Sequence, residues 1–132
     1  IIENCPDLLG RIDLITLQDD AVRIVDFKTS RSRWNAAKIE EAAPQMLLYA
    51  ELARPLAESF GVPLQVEWIV VTKTKQPAVE IHSLEADRQQ VARIKGVVRR
   101  VWNAIAGGHF YPAPSSLCAI CPYQKACRQW EG

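Results

Sequence analysis

The sequence predicts an α/β domain: a central mixed sheet flanked by helices, followed by a cysteine-rich C-terminal tail. Three observations support this class. Four runs are rich in β-branched residues, two longer segments carry apolar residues at helical spacing, and their order is strand, strand, helix, strand, strand, helix, tail. With 132 residues, of which 48% are apolar, the chain can bury a core of its own without disulfide staples.

The predicted elements follow the periodicity in chain order. Strands are expected at residues 8–17, 21–29, 65–74 and 78–84, and helices at residues 36–60 and 85–106. A turn is expected at residues 18–20. Pro44 and Pro55 predict a break or kink in the first helix, and Gly107 and Gly108 end the second. The tail from His109 shows no regular pattern and is expected to be coil.

The charge distribution is uneven although the net charge is only +1. Residues 1–60 hold seven Lys and Arg against ten Asp and Glu, and residues 61–132 hold nine against five. This asymmetry hints at a site for a metal ion and a polyanion. No apolar run approaches a membrane span and no secretory signal is present, so we expect a cytoplasmic protein without membrane contact. Because the chain opens with Ile1 and not Met, we interpret it as part of a longer protein.

The first two strands bring two carboxylates together. A turn centred between Asp19 and Asp20 places Asp13 opposite Asp26, where cross-strand Cβ atoms lie about 4.5–5.5 Å apart. Both faces of this hairpin are otherwise largely apolar, so we expect it to be covered on both sides. Two like charges in such surroundings raise the pKa of one group strongly, and the arrangement therefore needs a compensating charge.

Two kinds of compensation fit this pair. Asp13, Asp26 and a backbone carbonyl such as that of Phe27 are hard oxygen ligands, which suit Mg²⁺ or Mn²⁺ with water completing the shell. Alternatively, Arg11 and Lys28, which fall opposite each other on the same face, neutralise the acids as an ion-pair cluster.

Three motifs in order resemble the PD-(D/E)XK nuclease superfamily, in particular its RecB-like branch. They are G-x-x-D ending at Asp13, D-x-K-T beginning at Asp26, and Q-x-x-x-Y formed by Gln45 and Tyr49. This branch includes the nuclease domains of helicase–nucleases and the CRISPR adaptation exonucleases. The resemblance covers most of the chain and implies a restriction-endonuclease-like core over residues 1–108, with the cysteine-rich tail, residues 109–132, packed on the same domain. Ile12 stands where the family name has Pro.

The resemblance implies a metal-dependent deoxyribonuclease. Asp13 and Asp26 would ligate Mg²⁺ or Mn²⁺, which polarises the scissile phosphate and lowers the pKa of a bound water. Lys28 shares a strand face with Asp26 and would assist the water and the developing charge. Gln45 and Tyr49 share a helical face and would deliver an amide and a phenol to the site. An exonuclease role in repair, recombination or phage- and CRISPR-related DNA processing, with a helicase or another subunit as partner, is the corresponding expectation.

One departure from the family pattern concerns histidine. Many members of this branch carry a metal-ligating His on a helix upstream of the G-x-x-D strand, but no His precedes Asp13 here. His82 and His109 lie far downstream and are expected at the surface or in packing. We therefore expect the N-terminal helix to be missing and this stretch alone to bind metal weakly or to be inactive. The alternative is a non-catalytic nuclease-fold module that binds DNA or has a structural role, stabilised by a metal cluster.

The tail contains Cys118, Cys121 and Cys127 in a C-x₂-C-x₅-C pattern. Disulfides are disfavoured in the cytosol, so three closely spaced thiolates indicate a metal site, with free buried thiols as the alternative. Zinc and an iron–sulfur cluster both fit the spacing. A zinc-ribbon-like interaction domain is accordingly a further alternative function.

The resemblance favours the iron–sulfur cluster. Some RecB-like nucleases end in the same cysteine pattern after a G-x-F-x-P approach, which residues 108–112 resemble, and an upstream Cys completes the ligands of a 4Fe–4S cluster. Cys5 lies only five residues before Gly10, so a ligand outside this sequence is preferred to Cys5 as the fourth. Such a cluster would contribute to folding and not to hydrolysis.

Nucleic-acid contacts are expected after the D-x-K-T strand. Arg31, Arg33 and Lys38 could follow phosphates while Trp34 stacks a base, with an ordinary solvated loop as the alternative. The basic residues of the second helix are expected to form a solvated face. No feature encodes base-specific readout, which predicts sequence-independent cleavage.

Overall fold

The computed structural model describes residues 2–18 and 21–130, and its central feature is a four-stranded mixed sheet. The strands, in spatial order, are β1 (Leu14–Gln18), β2 (Ala21–Ser30), β3 (Leu64–Thr72) and β4 (Val79–Leu84). β2 and β3 are parallel, and β1 and β4 pair antiparallel with them at the two edges. The predicted α/β class, a mixed sheet flanked by helices as in restriction-endonuclease-like folds, is confirmed.

Helix α1 (Ala36–Phe60) connects the two parallel strands. It begins after Asn35, whose side chain accepts a hydrogen bond from the Lys38 backbone N–H at 3.1 Å. It ends at Gly61, which has a φ of +66° and donates its backbone N–H to the Glu58 carbonyl. A left-handed residue of this kind closes a helix at little steric cost only when it is glycine.

Of the predicted break or kink at Pro44 or Pro55, the break is wrong, because α1 is continuous through both residues, and the kink stays a prediction. A proline removes one helical hydrogen bond, but both rings lie on the exposed side of the helix. The opposite side packs on the sheet and stabilises the turns before and after each proline. Its buried residues are Met46, Leu47, Tyr49, Ala50, Ala53 and Ala57.

The core lies between α1 and the two central strands. Its largest fully buried side chains are Trp68, Ile24, Met46, Val22, Val66 and Val70. β1 is an edge strand, and its Leu14, Ile15 and Leu17 side chains are exposed. The expectation that this hairpin is covered on both sides is therefore wrong for β1, because Leu14 and Ile15, which point to opposite faces of the strand, are both exposed.

The first strand is shorter than predicted, and residues 8–13 lie outside the ladder. Two polar groups of this segment are bonded elsewhere: the Arg11 carbonyl accepts from the Tyr49 hydroxyl, and the Asp13 carboxylate accepts from the Phe27 backbone N–H. These tertiary bonds replace strand pairing. The predicted turn extended over residues 18–20, of which Gln18 ends β1 and Asp19 and Asp20 lie outside the described residues.

The chain divides into two compact units, Ile1–Arg99 and Arg100–Gly132. Helix α2 (Arg88–Ala106) begins in the first unit, where Val91 is buried and Lys95 pairs with Glu51 of α1. The pKa of Glu51 is held below its ordinary value by the hydrogen bond from Lys95. None of the helices in the described part of the chain has the length and apolar character that a membrane crossing requires.

The second unit contains more regular structure than the sequence predicts. After α2, Gly108 has a φ of +69° and the His109 backbone N–H bonds to the Ala104 carbonyl, which ends the helix. A 3₁₀-helix (Ser116–Ile120) and a helix α3 (Gln124–Arg128) follow. The expectation of coil is wrong because the Ser115 hydroxyl caps the Leu117 backbone N–H and starts a helical turn.

Candidate active site

The β1–β2 ladder ends where the two predicted acids lie. Leu14 pairs with Val25 and Ile15 with Ile24, which confirms the register deduced from the hairpin. Beyond the Leu14–Val25 pair the backbone ladder ends, and a side chain bonds to β2 instead. Asp13 Oδ2 accepts a hydrogen bond from the Phe27 backbone N–H at 2.9 Å. The carboxylate of Asp13 is thereby held against β2 at the residue that follows Asp26.

Asp26 is buried, and its charge is met by a lysine on the same strand face. Asp26 is 3% exposed, and Lys28 Nζ lies 2.7 Å from its Oδ2. Despite this ion pair, Asp26 Oδ2 has no partner in good hydrogen-bond geometry among the described residues. Trp68, which is paired with Asp26 across the parallel ladder, also has a buried indole N–H without a partner in the same part of the chain. Buried polar atoms of this kind are costly unless water or a ligand satisfies them.

The Q-x-x-x-Y residues position the segment that carries Asp13. Tyr49 is buried on α1, and its hydroxyl donates to the Arg11 carbonyl at 2.7 Å while accepting from Gln45 Nε2 at 3.0 Å. Gly10 lies directly on the tyrosine ring: a Cβ at that position would be 2.9 Å from Tyr49 Cε1. The three motifs therefore meet in space, because the glycine lets the chain approach the tyrosine whose hydroxyl fixes the residues before Asp13.

The donor set at this sheet end fits a hard divalent cation. Asp26 presents a carboxylate oxygen without a hydrogen bond, and Asp13 is exposed beside it along β2. No group of three His, Cys, Asp or Glu side chains able to hold a metal occurs in the described ranges. Two carboxylates, backbone oxygen such as that of Phe27, and water are the kind of shell that Mg²⁺ accepts, since this ion retains several waters.

The predicted nucleic-acid contacts separate into different environments. Arg31 is exposed, whereas Arg33 Nε lies 3.7 Å from Glu80 Oε1 of β4. The Trp34 backbone N–H donates to Glu80 Oε2 at 3.0 Å. This hydrogen bond is the main reason why the pKa of Glu80 is lowered. Lys38 lies at the start of α1, near the serines that end β2 and follow it.

Sequence reasoning missed Glu80, whereas His82 lies in packing, one of the two places expected for it. The His82 ring stacks on Trp34 with ring centroids 5.9 Å apart, and its Nε2 lies 3.4 Å from Glu80 Oε2. The sequence signal was the alternation in β4 of the polar Glu80 and His82 with Val79 and Ile81. In the structure the apolar pair is exposed, the reverse of the usual arrangement. Such inverted alternation indicates a polar cluster on the covered face.

The cysteines of the tail do not form a comparable site. Cys118 and Cys121 are half-buried, Cys127 is exposed, and all four cysteines are free thiols. Cys118 Sγ accepts a hydrogen bond from the Ser115 backbone N–H at 3.2 Å. Within residues 2–18 and 21–130 no three such side chains converge on a metal position, so the thiols as placed do not fit an iron–sulfur cluster or a zinc ion.

One of two similar solved structures supports the fold. A crystal structure from Eubacterium rectale, provisionally named an exonuclease, matches 86% of this chain and 44% of its own, with a TM-score of 0.55 and 18% identity. The chain thus spans less than half the length of that protein. A structure described under Toscana virus cap-snatching endonucleases matches 80% of this chain and 53% of its own, with a TM-score of 0.30 and 16% identity. A search of curated proteins found no match.

A family model decides the relationship. The model of the PD-(D/E)XK nuclease superfamily matches residues 4–128, nearly the whole sequence, and this range includes the sheet end with its two acids and lysine. The chain belongs to the PD-(D/E)XK nuclease superfamily.

Proposed function

We propose that this chain is a nuclease domain that hydrolyses phosphodiester bonds of DNA with the help of Mg²⁺ or Mn²⁺. The observation that carries the proposal is at the end of the β1–β2 ladder, where Asp26 and Lys28 form an ion pair and Asp13 is bonded to the backbone of Phe27, the residue between them. Membership of the nuclease superfamily supports it. A buried carboxylate, an exposed carboxylate and an ammonium group in one place are the groups that phosphoryl chemistry needs.

Each residue of the site has a separate proposed role. Asp13 and Asp26 would hold the cation, which when bound supplies Lewis acidity and lowers the pKa of water. The Phe27 N–H bonds to Asp13 Oδ2, which leaves Oδ1 of that carboxylate available to a cation. With Asp26 bound to the cation, the Lys28 ammonium would be free of its ion pair and would stabilise negative charge on the phosphate. Gln45 and Tyr49 maintain the segment that presents Asp13.

The finer assignment concerns the branch and the cellular role. The order and spacing of the three motifs support the RecB-like branch and, with it, exonuclease action in repair, recombination or phage- and CRISPR-related processing in the cytoplasm, alongside a helicase or another subunit. Linear DNA and closed circular DNA of the same sequence distinguish this role from endonuclease action. We expect the full-length protein to degrade the linear substrate and spare the circle.

The decisive experiment measures Mg²⁺- or Mn²⁺-dependent cleavage by the full-length protein with single substitutions. Asp26→Asn and Lys28→Met should each reduce the rate at least about a hundredfold, since the first removes a proposed metal ligand and the second removes the ammonium group proposed to act at the phosphate. Asp7→Asn and Lys75→Met are the matched controls, because both side chains are exposed and lie outside the site. Equal rates for the site variants and the controls would refute the proposal.

The alternative, a non-catalytic nuclease-fold module, has its own signature in the same experiment. It predicts retained DNA binding without cleavage in Mg²⁺, Mn²⁺ or any other divalent metal. The intact Asp26–Lys28 pair favours the catalytic reading, since a module that only binds DNA does not need a carboxylate buried beside a lysine at the sheet end.

We also propose that Cys118, Cys121 and Cys127 are metal ligands, with a 4Fe–4S cluster preferred to zinc. The support is their spacing and the resemblance of the tail to iron–sulfur members of the branch; their placement in the structure does not support it. Anaerobic purification of the full-length protein followed by iron and zinc analysis tests the proposal. A brown protein containing iron favours the cluster, stoichiometric zinc favours a zinc-ribbon-like tail, and neither metal refutes both.

A further inference from the structure

A cleft of about 560 Å³ lies between the end of β2 and the start of α1, directly beside the candidate active site. Its lining includes Lys28, Gln45, Trp34 and Lys38, together with Ser30, Glu41, Ala42 and Pro44. The cleft is therefore continuous with the position where the scissile phosphate is proposed to lie. Its walls combine an aromatic ring and two ammonium groups.

One wall presents a preorganised cation. Lys38 Nζ lies 2.6 Å from Ser32 Oγ and 3.3 Å from Ser30 Oγ, and the Ser30 hydroxyl donates to the Ser32 carbonyl at 2.6 Å. The lysine is thus held by hydroxyl oxygens, and no carboxylate among the described residues pairs with it at 4.0 Å or less. Glu41 also lines the cleft and is exposed. A fixed ammonium beside a hydroxyl that can still donate is a suitable partner for a phosphate oxygen.

The other wall presents a fixed aromatic ring. Trp34 is stacked on His82 at an interplanar angle of 19° and tilted against the fully buried Trp68 at 5.8 Å. Its backbone N–H is bonded to Glu80. The indole is consequently immobilised before any ligand arrives, so that stacking a base on it would cost little side-chain entropy.

The spacing along β2 relates this cleft to the active site. Ser30 follows Lys28 by two residues on the same strand face, which corresponds to about 6.6 Å along the strand. This separation is comparable with that of neighbouring phosphates in a polynucleotide. A strand whose scissile phosphate meets Lys28 can therefore bring the adjacent phosphate to the Lys38–Ser32 position.

We propose that the cleft is a nucleotide subsite for a single-stranded nucleic acid, with the base on Trp34 and its phosphate on Lys38 and Ser32. The inference rests on the proposed nuclease function. A base inside a duplex is stacked on both faces, so a base can stack on Trp34 only from a single strand or at a strand end. The substrate class is accordingly a single strand or a frayed terminus, in preference to intact duplex.

The test measures binding and not cleavage, so it is independent of turnover. Fluorescence anisotropy in EDTA gives the Kd for a labelled single-stranded oligonucleotide and for the matching duplex. Trp34→Leu should weaken single-strand binding about tenfold, because base–aromatic stacking contributes on that scale, and Trp34→Phe should restore most of it. Lys38→Met should reduce the slope of log K against log salt by about 0.7, the value for one phosphate contact on a single strand.

Controls and a direct probe complete the experiment. Trp130→Leu and Lys75→Met, at exposed positions, should leave both Kd and the salt slope unchanged. In parallel, NMR records the chemical shifts of the indole N–H groups. The Trp34 signal, assigned by its loss in Trp34→Phe, should change its chemical shift when the oligonucleotide is added. This probe keeps the test valid if Trp34→Leu does not fold.

The outcomes separate the two proposals. If the oligonucleotide binds while the Trp34 signal stays fixed, or if duplex binds as tightly as single strand, the subsite is refuted and the nuclease assignment stands on its own cleavage test. If the Trp34 signal moves but no divalent metal supports cleavage, the nuclease assignment fails and the subsite stands. Absence of single-strand binding refutes the subsite.

Discussion

The end of the β1–β2 hairpin and the cysteine-rich tail contain the two motifs with the closest ligand spacing, but they behave differently in the structure. Asp26 and Lys28 lie on one strand face in direct contact, and Asp13 is bonded to the backbone of the same strand. Cys118, Cys121 and Cys127 are closer together in sequence than Asp13 is to Asp26, but they do not converge.

The difference shows what holds side chains together. In the hairpin, a ladder of backbone hydrogen bonds sets the register, and the side-chain direction follows from the strand period of two. In the tail, a 3₁₀-helix and a five-residue helix each satisfy their own backbone locally. Local helices rotate successive side chains apart, so that short spacing alone does not produce a site.

After the site variants Asp26→Asn and Lys28→Met, the largest effect is expected for Gly10→Ala at the hairpin end. In Gly10→Ala the new methyl group would lie 2.9 Å from the ring of buried Tyr49, which displaces the segment carrying Asp13. We expect cleavage to fall at least about tenfold and the free energy of unfolding to fall by about 1–3 kcal/mol, as in other overpacked sites. Cleavage rates and thermal melts measure both.

Gly96→Ala is the matched control for that change. Gly96 lies in α2, and a Cβ there would meet no atom within 4 Å. Alanine is favoured over glycine in a helix by about 1 kcal/mol, so this variant should be slightly more stable than the original chain. Equal losses in the two variants would contradict the close approach of Gly10 to Tyr49.

Tyr49→Phe tests the same contact more gently. It removes only the hydroxyl, which leaves the Arg11 carbonyl without its donor and costs about 1 kcal/mol of stability. Because Asp13 is only two residues further along, we expect kcat to fall by several-fold with little change in KM. Tyr123→Phe, at an exposed position, is the control. A rise in KM with kcat unchanged would show that Tyr49 acts on substrate binding instead.

Removal of the tail thiols should change the cleavage rate less than the variants at the hairpin end do. In the full-length protein, joint replacement of Cys118, Cys121 and Cys127 by Ser should abolish iron or zinc content. The cleavage rate per folded molecule should stay within about twofold, because a structural metal contributes to folding and not to hydrolysis. A rate loss as large as that of Asp26→Asn would show that the tail belongs to the catalytic machinery.

A smaller effect concerns pH and the segment before α1. The Trp34 N–H lowers the pKa of Glu80, so the ionised carboxylate adds stability that is present above its ordinary pKa of 4.5 and is lost as the pH falls through the lower folded-state value. Thermal melts of Glu80→Gln below pH 4.5 should therefore vary less with pH than those of the original chain. Glu40→Gln, at an exposed position of α1, is the control, and an identical flattening there would contradict the assignment.

Several features of the fold and the candidate site follow from local sequence patterns. The turn position predicted the hairpin register, and Gly61 ends α1 where the helical period ends. The contact of Asp26 with Lys28 follows from their spacing on one strand. These features depend on residues that are close in sequence and on the fixed periods of strands and helices.

Other features depend on distant residues and were not predictable in the same way. Glu80 reaches the Trp34 backbone across 46 residues, and the Tyr49 hydroxyl reaches Arg11 across 38. The strand predicted at residues 8–17 begins only at Leu14 for the same reason. Residues 8–13 lie outside the ladder, and their hydrogen-bond partners belong to α1 and β2. Alternation and propensity carry no information about which distant group satisfies a given carbonyl or carboxylate.

The sequence by itself determined the α/β class, the order of the main strands and helices, and the alignment of two acids and a lysine at one hairpin end, because strand and helix periods are set by backbone geometry. Only the tertiary structure decided that Tyr49 anchors the chain before Asp13 and that Trp34 is fixed by Glu80 and His82 beside the active site. It also decided that, among the described residues, the tail cysteines form no group of three that could hold a metal. Those outcomes depend on which polar groups meet when α1 packs on the sheet, and packing brings together residues that no local pattern connects.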